Sequence, residues 1–443
     1  MIVHLASLGC ARNQIDSEVM LGRLKAAGAL FTDTPEDAEV IIVNTCSFIE
    51  SAADESIDTI LGLAAYKSEG RCRRLIVTGC LPERYRREIV RAIPEVDVFL
   101  GTGAFDRIVA AAEGQLDADR CLLPDPDALP PAGTGVPRER GSRGMAYVKI
   151  AEGCDRRCTY CIIPRLRGRQ KSRPVADVVA EARQLLASGA RELVLVSQET
   201  TAYGRDLKPP ADLAHLLTGL AALPVGPGAD DFWIRFLYGH PQSIDDNLLK
   251  AVARHANICS YFDIPIQHAS AAVLKKMGRH YGPDDLRRLL DRIRSLMPEA
   301  ALRTTVIVGF PGETDADFDQ LLRFVESERF DHLGCFVYSD AEDLAAHKVP
   351  DHVPPAAARL RHRTLMTRQQ EISAARNLNY RGKTLAVLVE DHPEEGLYVG
   401  RTEFQAPEVD GVTYVHADRL QTGEFAKVVI GDTLEYDLVG QAV

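Results

Sequence analysis

The chain has 443 residues, enough for about three domains of about 150 residues that each bury a core, so a single small module is excluded. Apolar residues make up 46% and charged residues 26% of it, with Gly and Pro dispersed, which excludes a disordered or fibrous polymer. The formal charge of −11, from 52 Lys and Arg against 63 Asp and Glu, argues against a generic phosphate-backbone binder and would require a local basic patch for any nucleic-acid contact.

No apolar stretch approaches the roughly 18 residues of a membrane span, and the start MIVHLASLGCARNQ has no basic region before an apolar core, so the cytosol is the expected location. Ten cysteines in that compartment stay mostly reduced and read first as metal, cluster or catalytic groups.

From 1 to 115, the apolar runs IVHLASL, EVIIVNT, RLIVTG and VDVFLG alternate with helical patterns at about Gln14 to Ala27, Ser51 to Ala65 and Glu83 to Ala92. This is the rhythm of an α/β domain with a parallel sheet. Cys10, Cys46 and Cys80 each follow a strand, at the carboxyl edge where open α/β sheets place ligands. Residues 116 to 143 are rich in Pro and Gly without periodicity and read as a linker.

Between 144 and 378, strands at about Ala146–Ala151, Glu192–Val196, Phe232–Phe236, Tyr261–Ile266, Leu302–Val308 and Leu333–Val337 alternate with helices. Six such units predict an open (βα)6 partial barrel. A helical stretch from Pro355 to about Leu378 leads into five short strands over 379–443, a small antiparallel β-barrel similar to an OB-fold.

The sharpest motif is GCDRRCTYC, placing Cys154, Cys158 and Cys161 directly after the first strand of the partial barrel. Three closely spaced thiolates can hold three irons of a four-iron four-sulfur cluster and leave the fourth open to a ligand. A zinc site would need a second Cys or His pair at zinc-finger spacing, and none follows in the next tens of residues.

This CxxxCxxC motif, with Tyr160 before the last cysteine, resembles the signature of radical S-adenosylmethionine (SAM) enzymes, in which the open iron binds SAM and an electron cleaves it to a 5′-deoxyadenosyl radical. TVIVGFPGET, from Thr305 to Thr314, resembles the glycine-rich segment of that family where backbone packs against adenine, which would make Gly309, Gly312 and Glu313 cofactor contacts. Without the resemblance it reads as a tight strand-to-helix turn with Glu313 in the first helical turn.

SLGCARNQIDSE, VNTCSFIESA and VTGCLPERY, together with the radical SAM core and the C-terminal barrel, are similar to the radical SAM methylthiotransferase family over essentially the whole chain. The resemblance implies that Cys10, Cys46 and Cys80 ligate an auxiliary cluster, that Cys154, Cys158 and Cys161 ligate the radical SAM cluster, and that the C-terminal barrel is TRAM-like. It implies two four-iron four-sulfur clusters, and SAM both as methyl donor and as radical source. Cys72, Cys121, Cys259 and Cys335 are left as core or surface thiols.

Within the family the substrate is either an aspartate of small-subunit ribosomal protein twelve or an adenosine of tRNA. YFDIPIQHAS, SQETTAYG, GCFVYSDAEDLAAHKVPDHVP and APEVDGVTYV resemble the aspartate-modifying branch, whereas Ala11 and Arg12 stand where that branch usually has Pro and Lys. Residues 379–443 carry five basic and twelve acidic residues, a balance of −7. Such a barrel suits a basic protein partner better than phosphates, or is a solvated acidic surface with no partner. The basic run with Arg165, Arg167, Arg169, Lys171 and Arg173 reads as a solvated loop, with phosphate contact as the alternative. His240 and His268 are candidate cavity residues whose commoner role is structural. A flavodoxin-type electron donor is implied, RNA contact is secondary, and no membrane is expected. A non-catalytic iron-sulfur carrier is the reading from another class; it needs neither the adenine-type turn nor a full barrel.

Overall fold

The apolar runs of the first 122 residues form one parallel sheet in the computed structural model, which describes residues 1–116, 120–128, 138–141, 144–225 and 231–443. Its strands are β1 (Ile2–Ser7), β2 (Leu30–Phe31), β3 (Val40–Thr45), β4 (Arg74–Gly79), β5 (Val98–Leu100) and β6 (Cys121–Leu122), in the order β2-β1-β3-β4-β5-β6. Strand β3 is buried along its whole length, as a Val and Ile run covered on both faces must be. The covering helices are α1 (Ala11–Ala26), α2 (Glu50–Ala64), α3 (Tyr66–Glu69), α4 (Cys80–Tyr85), α5 (Arg87–Ala92) and α6 (Ile108–Ala112).

Two expectations change here. The helix expected over 83–92 is broken into α4 and α5 at Arg86, whose φ of 51° lies in the left-handed region. The stretch expected to be linker contributes β6, paired in parallel with β5, and Arg138, which bridges Glu18 and Glu181. The rest of that expected linker, at 117–119, 129–137 and 142–143, lies outside the described residues.

Beyond it come β7 (Met145–Lys149), then β8 (Ala151–Glu152), which pairs with β9 (Lys171–Ser172) around α7 (Ile163–Arg167). There follow α8 (Val175–Ala187), β10 (Glu192–Val196), α9 (Leu213–Ala221), β11 (Trp233–Phe236), α10 (Asp246–Arg254), β12 (Tyr261–Asp263), α11 (Ala271–Lys276), α12 (Pro283–Leu296), β13 (Ala301–Val308), α13 (Asp315–Glu328), β14 (His332–Val337) and α14 (Pro355–Asn377). Strands β11-β10-β7 and β12-β13-β14 form two parallel sheets, joined by a bridge between Ile234 and Ile258. Together they are the expected open (βα)6 arc. Helix starts are local: Asp245 caps α10 through Leu248 N–H (2.9 Å), and Thr314 with Asp317 forms a capping box at α13.

On these strands one parity packs under the helices, as with Val148, Leu195, Ile234 and Phe236. The other parity, with Tyr147, Val194, Trp233 and Tyr261, shares an apolar cluster with Tyr398, Phe404 and Val415 of the C-terminal barrel. That barrel is closed by β15 (Thr384–Glu394), β16 (Leu397–Thr402), β17 (Thr413–His416), β18 (Phe425–Thr433) and β19 (Leu438–Ala442), in the order β15-β16-β17-β19-β18. It is not wholly antiparallel: β17 and β19 run parallel, because β19 returns along β17 to close the cylinder. Bulges at Val389/Asp391 and Ile430/Asp432 add the bend that closure needs.

A buried charge chain fastens the barrel to the arc. Glu192 of β10 accepts from Arg235 of β11 (2.7 Å) and from Arg401 of β16 (2.5 Å), and Arg401 also grips Glu390 (2.6 Å). Neutralising Glu192 leaves the buried Arg235 without a carboxylate and Arg401 with Glu390 alone, which costs about 3 kcal/mol. Glu192→Gln is therefore expected to speed amide exchange across Thr384–Thr402 by about a hundredfold, read by hydrogen-exchange mass spectrometry; unchanged exchange there would show that the apolar contact alone holds the barrel.

Candidate functional site

Cys10 lies three residues beyond β1, Cys46 directly follows β3, and Cys80 directly follows β4. These strands are neighbours in one parallel sheet, so the three thiols share its carboxyl edge. The approach is close: Gly9 has φ +96°, and a Cβ there would lie 2.8 Å from Cys46 Cβ and 3.3 Å from its Sγ. Asn13 Nδ2 donates to the carbonyls of Leu8 (3.1 Å) and Thr45 (2.8 Å), and Asn44 Nδ2 donates back to Asn13 O (2.8 Å). Ser56 Oγ donates to Cys46 O (2.7 Å) and accepts from Cys46 N–H (3.1 Å). These polar residues fix the loops that present the thiols.

Two guanidiniums border this edge. Arg167, at the end of α7, lies with Nη2 3.7 Å from Cys80 Sγ and with Nη1 2.9 Å from Asp16 and 3.3 Å from Glu152. Lys149 pairs with the same two carboxylates, 2.8 Å from Glu152 and in direct contact with Asp16. Arg12 donates to Ser197 O (2.9 Å) at the end of β10, and its guanidinium lies 4.6 Å from the Tyr238 ring centroid. Burial opposes ionisation of Cys10, yet Arg12 and Arg167 carry its thiol below the ordinary value. Cys80, also beside Arg167, is pushed by burial to about 11.

Cys154, Cys158 and Cys161 line the loop between β8 and α7. Cys154 N–H donates to Gly168 O (3.0 Å), Cys161 N–H to Cys158 O (3.1 Å), and Thr159 N–H to Met277 O (3.1 Å). Arg156 grips Glu199 with two bonds (2.7 and 2.8 Å), and Glu199 also accepts from Ser243 Oγ (2.7 Å). Tyr160 meets Phe310 edge-on at 6.5 Å, and its hydroxyl accepts from Arg279 (2.6 Å). Burial raises Cys154 to about 11 and Cys161 to about 12, because it disfavours the free thiolate.

Among the described residues no three Cys, His, Asp or Glu side chains gather tightly enough to hold one metal ion. A four-iron cluster takes its thiolates at separate corners and not on one ion, and each trio supplies three thiols, the first from one sheet edge and the second from one loop. The donor sets therefore fit clusters.

Gly309 and Gly312 directly follow β13 with φ of 75° and 74°. A Cβ at Gly309 would lie 2.5 Å from Ala358 Cβ, and one at Gly312 would lie 2.2 Å from Lys276 Nζ. Glu313, expected as a cofactor contact, instead turns its fully buried carboxylate onto its own turn. It accepts from Gly309 and Phe310 N–H (3.1 Å for Phe310) and faces Arg361 (3.3 Å) and His268 (3.5 Å). His268 and His240 are buried; His268 Nδ1 accepts from Ser270 N–H (2.9 Å) and His240 Nδ1 from Gln242 N–H (3.3 Å). Burial, with Arg279 and Arg156 nearby, pushes His240 down to about 2.

The basic run is not one solvated loop. Arg165 and Arg169 are exposed, whereas Arg167 and Arg173 are buried in ion pairs, Arg173 with Glu181 (2.5 Å). The barrel charge is also partly internal. Eight of its twelve acidic residues are exposed against four of its five basic ones, because Asp410 binds Tyr261 (2.6 Å) and Glu424 binds Arg191 (3.0 Å). Cys72, Cys259 and Cys335 are buried thiols, and Cys121 sits in β6.

Comparison with known proteins gives three matches along the chain: residues 2–101 to Uncharacterized protein family UPF0004, 148–325 to the Radical SAM superfamily, and 382–443 to the TRAM domain. A "Ribosomal protein uS12 methylthiotransferase RimO" of Desulfosudis oleivorans is 54% identical over 100% of both chains. Proteins of that name from Anaeromyxobacter sp. strain K and Clostridioides difficile are 48% and 45% identical over 100% of this chain and 93% and 98% of theirs. Among solved structures, the radical SAM methyltransferase TsrM from Kitasatospora setae, with cobalamin and a [4Fe-4S] cluster bound, aligns over 76% of this chain and 74% of its own at TM-score 0.56 and 18% identity. OxsB, with aqua-cobalamin and SAM bound, aligns over 84% and 56% at TM-score 0.52 and 14% identity. These two likenesses are of fold.

The tight passage at Gly9 sets a measurable expectation. Gly9→Ala combines a strained left-handed residue with a clash on Cys46, each costing about 1–3 kcal/mol. The first domain should melt at visibly lower temperature by calorimetry, while Gly28→Ala, which has φ +85° but open space, should lower it less.

Proposed function

The chain belongs to the family of ribosomal protein uS12 methylthiotransferases, whose radical SAM and TRAM domains it carries, and on that premise we propose that it places a methylthio group on the β-carbon of an aspartate of small-subunit protein uS12. The observation that carries this reading is the pair of cysteine trios, one on the carboxyl edge of the first parallel sheet and one in the loop between β8 and α7, with Arg167 running from the end of that loop's helix to Cys80 of the first trio. Cys154, Cys158 and Cys161 are the ligands of the radical SAM cluster, and Cys10, Cys46 and Cys80 those of an auxiliary cluster. When bound, these clusters supply the electron that cleaves SAM and the sulfur that is transferred.

An aspartate β-carbon C–H bond is unactivated, so no acid or base in the chain can break it, and the protein contributes orientation and dryness. Arg156 and Glu199 pin the cysteine loop against the end of β10, and Tyr160 packs it on Phe310. Glu313 holds the turn at Gly309 and Gly312 in the shape that offers backbone to an adenine. Arg12 and Tyr238 close the mouth of the arc beside Cys10. The exposed acids of the hairpin β15–β16, Asp391, Glu394 and Glu395, favour a basic protein substrate over tRNA. A flavodoxin-type reductant serves the electron step in the cytosol; among the described residues no helix is long and apolar enough to cross a membrane. The units are taken as 1–115, 144–378 and 379–443.

The deciding experiment offers uS12 and tRNA together to the anaerobically reconstituted protein with SAM and reductant. Mass spectrometry is expected to find the methylthio group on an aspartate of uS12; a label on tRNA adenosine would overturn the substrate assignment. Cys158→Ala is expected to abolish 5′-deoxyadenosine formation, and a variant that still formed it would overturn the ligand assignment.

A further inference from the structure

Buried cations require a nearby opposite charge, and the N-terminal thiol edge holds more cation than carboxylate. Arg12, Arg167 and Lys149 converge there, and Arg167 and Lys149 have side chains only 3% and 5% exposed. Asp16 and Glu152 balance two of the three. Glu83, near Cys80, is already taken up by Arg86 at 3.0 Å. Arg12 is the remainder: among the described residues no carboxylate oxygen lies within 4 Å of its guanidinium, which contacts Ser197 O and the Tyr238 ring and feels Glu152 only from beyond ion-pair distance.

Its thiol neighbour is Cys10, two residues away, with Cys46 pressed against Gly9 beside it. A resting four-iron core of charge about +2 held by three thiolates carries about −1 in all, which is the charge the surplus guanidinium lacks. The second trio repeats the pattern: Arg156 is neutralised by Glu199, while Arg279 meets the hydroxyls of Tyr160 and Tyr281 and, among the described residues, no carboxylate within ion-pair distance.

We propose that Arg12 is the built-in counter-charge of the cluster at Cys10, Cys46 and Cys80, a positioning residue that raises its reduction potential, with Arg167 joining it on the Cys80 side. The proposal rests on those three cysteines being cluster ligands. A fixed positive charge in a site with few waters favours the added electron, and Arg12 keeps its charge at every working pH. Because Arg12 is anchored on Ser197 and Tyr238, and Arg167 comes from α7, the compensated site is complete only with the first domain seated on the arc.

The test uses the full chain with Cys154, Cys158 and Cys161 replaced by Ala, reconstituted with iron and sulfide, so that only the N-terminal cluster forms. Iron analysis comes first: absence of about four irons per chain overturns the ligand assignment, and with it the counter-charge. With the cluster present, an electron-paramagnetic-resonance redox titration reads its midpoint. In Arg12→Gln the ratio of reduced to oxidised cluster at a fixed poise is expected to fall about tenfold, a shift of about 59 mV for one electron. Arg12→Lys is expected to restore it, and loss of the cluster from Arg12→Gln but not from Arg12→Lys supports the same conclusion. An unchanged midpoint in Arg12→Gln, an equal shift in Arg12→Lys, or cluster loss in both overturns the proposal, since each result makes shape and not charge the contribution of Arg12.

Discussion

Arg167 is the constraint on which the arrangement turns. It lies six residues beyond Cys161, so the position of its guanidinium is inherited from the loop carrying the second cysteine trio. That guanidinium is buried against Asp16, Asn13 and Cys80, all from the first domain. A buried cation cannot be left without its partners, so the two domains have little freedom to slide. One residue thereby ties the sheet edge that carries the first thiol trio to the loop that carries the second. Lys149 and Glu152, from the first strands of the arc, extend the same network and stiffen it.

Around that tie, each domain closes a different side. The first domain covers the carboxyl edge of the arc, where Arg12 reaches the ends of β10 and β11. The C-terminal barrel covers the interior parity of the strands, through aromatic contact between Trp233 and Phe425 (4.6 Å) and the pairs on Glu192. An open arc of six strands would otherwise leave that face wet. With both sides covered, a reactive carbon radical would meet protein and substrate and little water, which is what radical chemistry on an unactivated bond requires.

Much of this was legible in the sequence because it is written in short-range patterns. Strand runs, helix periods, the placement of Cys10, Cys46 and Cys80 after strands, and the spacing of Cys154, Cys158 and Cys161 are all local. What escaped depends on distance along the chain. Arg167 and Arg173 looked like members of a solvated basic run, since nothing near them reveals that Asp16 and Glu181 will bury them. Glu313 looked like a ligand contact, because a turn followed by a helix does not disclose that its carboxylate folds back onto Gly309 and Phe310. The twelve acidic residues of the barrel overstated its surface charge for the same reason, with Asp410 and Glu424 spent on partners in the arc. Arg12 reads in the sequence only as a departure at a position that usually holds Lys, because its reach to Ser197 and Tyr238 is again a matter of distance along the chain.

The separations involved also govern the order in which the molecule can be assembled during translation. Asp16 waits for a partner 151 positions later, and Glu192 for one 209 positions later. While the first sheet is emerging, its cysteine edge has Arg12 but neither Arg167 nor the arc on which Arg12 is anchored. The nascent N-terminal domain therefore leaves the exit tunnel with a half-compensated pocket, and only synthesis past Tyr238, which brings in Arg167, Ser197 and the arc, completes it. Loading with iron and sulfur would accordingly be a late event, favoured after the arc has folded, and the final strands of the barrel would lock the product of a long, non-local folding path.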